Sequence, residues 1–103
     1  MKEQITKPDF VNQTINVGID VHLNSWNVTF RSGGLLLATK SMEPDPGKLS
    51  NYLNSHYPNG KYKCVYEAGF CGFWIERKFT ELGIDCIVVN PADVPTSGKE
   101  KVL

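Results

Sequence analysis

Ile15-Asn16-Val17-Gly18-Ile19-Asp20-Val21 is the stretch that decides the fold. Its β-branched side chains fall at 15, 17, 19 and 21. Successive strand residues point to opposite faces, so this period of two predicts a half-buried β-strand with Asn16, Gly18 and Asp20 on the other face. Working outward, Asn24-Ser25 turns the chain, and Trp26, Val28 and Phe30 then alternate with Asn27, Thr29 and Arg31. That is a second strand. Ser32-Gly33-Gly34 is a hairpin signal, and a third strand is expected from Leu35 to Met42. Three consecutive strands on short turns make an antiparallel meander.

After Met42 the period changes. Glu43-Pro44-Asp45-Pro46-Gly47 breaks the strand, with Asp45 placed to cap a helix and Pro46 at its first position. Leu49, Tyr52, Leu53 and His56 follow at helical spacing until Pro58-Asn59-Gly60. Lys61 to Glu67 alternates again, with Tyr62, Cys64 and Tyr66 on one face. Gly69 and Gly72 mark a tight exit. A second helix is expected from about Gly72 to Leu82, with Ile75, Phe79 and Leu82 on its apolar stripe and Gly83 as its stop. Ile84 to Val89 reads as a short buried strand closed by Asn90-Pro91. The order β-β-β-α-β-α-β implies an α/β fold with a mixed sheet, a meander extended by parallel strands on right-handed crossovers. It is the order of the ribonuclease H-like superfold, and a superfold does not establish function.

The chain has 103 residues, 41% of them hydrophobic, which suits one domain with a core of its own. Residues 1–13 read as a flexible polar lead-in, and residues 14–103 as the domain. Eleven basic residues balance 11 acidic ones, five against five through Ser50 and six against six after it. This excludes a basic nucleic-acid-binding tail and a polybasic membrane segment. No apolar run approaches the roughly 18 residues of a membrane span, and no signal peptide is read. Cys64, Cys71 and Cys86 form no CxxC pair, and His22 and His56 lack zinc-ligand spacing, so reduced thiols and a cytoplasmic protein are expected.

Two acids occupy strand ends. Asp20 lies near the end of the first strand and Glu67 at the end of the fourth. In a sheet ordered 3-2-1-4 those strands are neighbours, and both carboxylates project at their C-terminal ends, where open α/β sheets carry their sites. Hard oxygen donors there suit Mg²⁺ and phosphoryl transfer. The plainer reading is a pair of solvated strand-end acids. His22 has the chemistry of a general base or a third metal ligand, though a strand-end histidine is most often a surface residue. Trp26 and Phe30 are able to stack on bases but read as core, and Phe70, Phe73 and Trp74 read as packing around the Glu67 turn. Gly69-Phe70-Cys71-Gly72 has GxxG spacing with the apolar middle of a poor RNA clamp.

The wording around these acids is more specific. Val17-Gly18-Ile19-Asp20-Val21-His22 with Ser25-Trp26, Tyr66-Glu67-Ala68-Gly69-Phe70-Cys71-Gly72-Phe73-Trp74, and Leu82-Gly83-Ile84-Asp85-Cys86-Ile87-Val88-Val89-Asn90-Pro91-Ala92-Asp93-Val94-Pro95 stand in order. Together they resemble the DEDD insertion-sequence transposases of the insertion sequence 110 class and their Piv-type invertase relatives, from about Ile15 to Lys101. The resemblance implies a RuvC-like, ribonuclease H-like domain in which four acids bind Mg²⁺ for DNA transposition and recombination. Asp20 matches the first acid and Glu67 the second, as catalytic and metal-binding residues. Asp93 matches neither of the distal two, which would lie beyond Leu103. A truncated domain, inactive alone, is therefore expected. DNA, in some members a guide RNA, and an oligomeric parent acting at the bacterial nucleoid are the implied partners and setting. Leu23, where a lysine is common, and Gly98, where an acid is common, depart from the pattern.

Two other classes compete. An actin- or sugar-kinase-like ATPase lobe shares the element order and a Gly-Ile-Asp strand, but Val21-His22-Leu23-Asn24 supplies no phosphate-binding glycine. A non-catalytic module binding nucleic acid or protein is the third, and zero net charge argues against strong autonomous DNA binding.

Overall fold

The computed structural model describes residues 9–68 and 72–90. Its strands are β1 (Thr14–Val21), β2 (Trp26–Ser32), β3 (Leu35–Met42), β4 (Lys61–Glu67) and β5 (Asp85–Val89). Helix α1 (Pro46–His56) lies between β3 and β4, and α2 (Trp74–Glu81) between β4 and β5. The five strands form one mixed sheet in the order β3-β2-β1-β4-β5. β1–β2 and β2–β3 pair antiparallel, while β1–β4 and β4–β5 pair parallel. The expected meander and parallel extension are both present.

Local chemistry explains the boundaries. Gly33 and Gly34 have φ of 57° and 82°, the left-handed pair that a two-residue hairpin with native strand twist requires. Register shifts at Phe30/Arg31, where Phe30 opposes Ala38 and Arg31 opposes Leu36, so Leu37 is the bulged residue. Asp45 caps α1 as expected, its Oδ1 accepting from the Gly47 amide at 2.8 Å and the Lys48 amide at 3.4 Å, with Pro46 opening the helix.

The core lies on one side of the sheet. Ile15, Val17, Trp26, Val28, Phe30 and Cys64 are buried there against Leu49 and Leu53 of α1 and Ile75 and Phe79 of α2. The inward reading of Trp26 and Phe30 holds. Phe10, within the stretch read as lead-in, packs edge-on to Tyr57 with ring centroids 5.2 Å apart, and its amide donates to the Pro58 carbonyl. On the opposite side Asn16, Asp20, Asn27, Arg31, Lys63, Glu67 and Ile87 are exposed.

Three expectations need correction. α2 starts at Trp74, two residues later than expected, because Gly72 has φ +65° and Phe73 is the capping position. Leu82 is 45% exposed and off the buried stripe. It caps α2, whose chain turns at Gly83 (φ +78°), and Ile84 enters the core in its place. β5 starts at Asp85 and is not buried throughout, since among the described residues it is a sheet edge with helices on one side; Ile87 is 61% exposed. Expectations for residues 1–8, for Gly69, Phe70 and Cys71, and for Pro91 onward, including Asp93 and Gly98, lie outside the described residues.

Candidate functional site

The sheet register sets Asp20 and Glu67 side by side on neighbouring strands. β1 and β4 pair Gly18 with Val65 and Ile19 with Tyr66, and the next residue on each strand is Asp20 and Glu67. Ile19 and Tyr66 are buried, so alternation sends the two carboxylates to the exposed face. Neighbouring strands lie about 4.8 Å apart. Because these strands are parallel, both acids also stand at C-terminal ends. The juxtaposition expected from strand order 3-2-1-4 is thus present in the backbone.

Asp20 is well solvated, with 69% of its side chain exposed, and its Oδ2 lies 3.1 Å from His22 Nε2. His22 is 55% exposed, and its amide donates to the Ser25 carbonyl, closing the β1–β2 turn. That inward-used amide, in a turn without glycine, is unlike a phosphate cradle. Leu23 at the tip of the turn is 76% exposed.

The Glu67 side is fastened more elaborately. Immediately after it, the Ala68 amide donates to the Val89 carbonyl at 2.9 Å, and the Gly72 amide donates to the Ala68 carbonyl at 3.1 Å. Immediately before it, Tyr66 is 2% exposed. Its hydroxyl donates to the Gly72 carbonyl at 2.9 Å and accepts from the Glu76 amide at 3.2 Å. Phe73 (53% exposed) and Trp74 (39%) follow, and Trp74 reaches back to Trp26 with ring centroids 6.5 Å apart. The packing role read for Trp74 is therefore partial, and Phe73 faces solvent. Sequence reading named Tyr66 only as an inward strand residue. The one signal for its second role is a phenol, where phenylalanine would fill the space, at a buried strand end.

Two carboxylates are the right donor type for a hard cation, but the number falls short. Among the described residues no group of three or more His, Cys, Asp or Glu side chains is gathered to hold a metal. A cleft of about 560 Å³, lined by Asn12, Ser50, Asn54, Lys61 and Asp85, opens at the other end of β4 and β5, away from the acids. No helix among the described residues is long and apolar enough to cross a membrane.

Comparison with known proteins points one way. The chain is similar to the transposase for insertion sequence element IS1533 of Leptospira borgpetersenii, 21% identical over 95 residues, covering 89% of this chain and 28% of that protein. It is also similar to y4rJ of Sinorhizobium fredii, named as a candidate transposase, 30% identical over 98 residues, covering 84% of this chain and 25% of that protein. Both relatives carry transposase names. The chain spans about a quarter of the length of these curated relatives. No family model matches the chain, and no solved structure matches it.

Proposed function

We propose that this chain belongs to a transposase catalytic domain of RuvC-like, ribonuclease H-like fold and the DEDD class, working on DNA in transposition and recombination. The observation that carries the reading is the placement of Asp20 and Glu67 on one exposed face at the ends of adjacent parallel strands, in a chain whose relatives carry transposase names.

In this reading Asp20 and Glu67 are the first two of four acids, and they would hold Mg²⁺ together with two further carboxylates from beyond the described residues. The ion, when bound, neutralises charge on the phosphodiester and on the attacking and leaving oxygens of an in-line displacement. The chain's own contribution is to present two exposed oxygen donors at neighbouring strand ends. His22 holds one carboxylate oxygen of Asp20. DNA is the partner in this reading.

Two carboxylates compensate little of the cost of stripping water from Mg²⁺, which dehydrates reluctantly. The 103-residue chain alone is therefore expected to leave supercoiled plasmid intact in Mg²⁺. The check is a nicking assay on agarose gel. Mg²⁺-dependent nicking that disappears in Asp20→Ala would show that two acids suffice and overturn the half-site reading.

A further inference from the structure

The hydroxyl of Tyr66 does work that the fold would ordinarily assign to a helix cap. α2 starts at Trp74 behind Phe73, an N-cap residue that makes no side-chain cap, so the amides of its first turn lack the usual acceptor. The amide of Glu76, third residue of the helix, donates instead to Tyr66 Oη at 3.2 Å, and the same hydroxyl donates its O–H to the Gly72 carbonyl at 2.9 Å. A cap that belongs to the helix would stabilise the helix alone. This one arrives from β4, from the residue adjacent to Glu67, and ties the helix entrance to the strand end. The phenol is 2% exposed, so it has little freedom to release either partner. On the other side of Glu67, Ala68 is bonded to Val89 and Gly72. The backbone on both sides of the acid is therefore pinned.

We infer that Tyr66 is the positioning residue for Glu67, its hydroxyl locking the β4–α2 junction so that the carboxylate is held in register with Asp20. This rests on the reading of Glu67 as a metal-binding acid. Tyr66→Phe removes both bonds and keeps the buried ring. The Glu67 carboxylate then samples a wider range beside Asp20, and the cation site loosens without the core being lost. Groups hydrogen-bonded to a metal ligand typically affect metal affinity by about 10–100-fold; Tyr66 acts on Glu67 through the backbone, so the lower end is expected.

The test titrates Mn²⁺ into the ¹⁵N-labelled 103-residue chain and reads paramagnetic broadening of the Asp20 amide. Tyr66→Phe is expected to raise the Mn²⁺ concentration for half-broadening by about tenfold and to have no further effect in a Glu67→Gln background. Ile75→Val, which loosens the packing of α2 and leaves the hydroxyl untouched, is expected to lower the melting temperature with the Mn²⁺ titration unchanged. A Tyr66→Phe titration that superimposes on that of the unsubstituted chain overturns the inference. So does a loss that persists in Glu67→Gln, or an equal loss in Ile75→Val. If Glu67→Gln itself leaves the titration unchanged, the metal-binding reading fails and takes the positioning role with it. If Glu67→Gln weakens Mn²⁺ binding and Tyr66→Phe does not, only the role of Tyr66 fails. Amide exchange in the unsubstituted chain gives a reading independent of any variant's folding. The Glu76 amide is expected to exchange more slowly than that of Ile75, and equal rates would contradict the proposed lock.

Discussion

Asp45 and the paired cysteines show how much single residues carry here. Asp45 accepts from two amides of the first turn of α1, and this was legible because aspartate before proline has few other uses at a helix start. Asp45→Ala is expected to cost about 1 kcal/mol, read as a lower urea midpoint at unchanged slope. Cys64 and Cys86 lie opposite one another on β4 and β5. Burial, with Cys86 adding to it, pushes the Cys64 thiol far above its ordinary range; burial, with Glu76 adding, pushes Cys86 up to about 12. Both thiols are neutral in the folded and unfolded chains below about pH 9. Above that the unfolded chain ionises first, so stability falls as pH rises from about 9 toward about 12. Urea unfolding across this range should show the decline, and Cys64→Ala with Cys86→Ala should reduce it, leaving the share of Tyr57 and Tyr62, whose hydroxyls burial also pushes up. Tyr66 marks the limit of sequence reading at this scale. Its inward direction follows from alternation, but the Gly72 carbonyl and the Glu76 amide that its hydroxyl meets lie six and ten residues further on, and no local pattern announces them.

At the scale of elements, period and punctuation were sufficient for every strand and helix among the described residues. They failed at edges, where burial depends on neighbours. The stripe Ile75, Phe79, Leu82 is a sound helical pattern, yet the helix ends before Leu82 can use it. Its end is a two-bond closure: the Gly83 amide donates to the Thr80 carbonyl at 3.0 Å and the Ile84 amide to the Phe79 carbonyl at 2.9 Å. Gly83 sits at φ +78° with open space where a Cβ would stand. Gly83→Ala therefore meets no clash and only the left-handed penalty, about 1–2 kcal/mol. A thermal melt should show the loss. An unchanged melting temperature would mean that the turn relaxes, releasing Ile84 from the core. β5 misled for a related reason. Five consecutive residues without a basic side chain resemble a buried parallel strand, but a terminal strand with helices on one side alternates instead.

For the whole molecule, strand order matters more than any motif. Placing β1 between β2 and β4 brings Asp20 beside Glu67, 47 positions away in the sequence. Among the described residues both helices pack on the other face, and Asp20 and Glu67 are exposed. The acids were legible from strand-end position, and their meeting followed from a topology that alternation and crossover rules strongly constrain. What sequence reading missed is the tertiary clamp around Glu67. The central claim is that the two acids form one cation-binding half-site. Its most direct test follows all assigned backbone amides by NMR as Mn²⁺ is added to the chain. The account predicts that the Asp20 and Glu67 signals broaden together, ahead of the rest, and that Asp20→Asn abolishes the effect at both. Broadening centred elsewhere, confined to one acid, or undiminished in Asp20→Asn would contradict it.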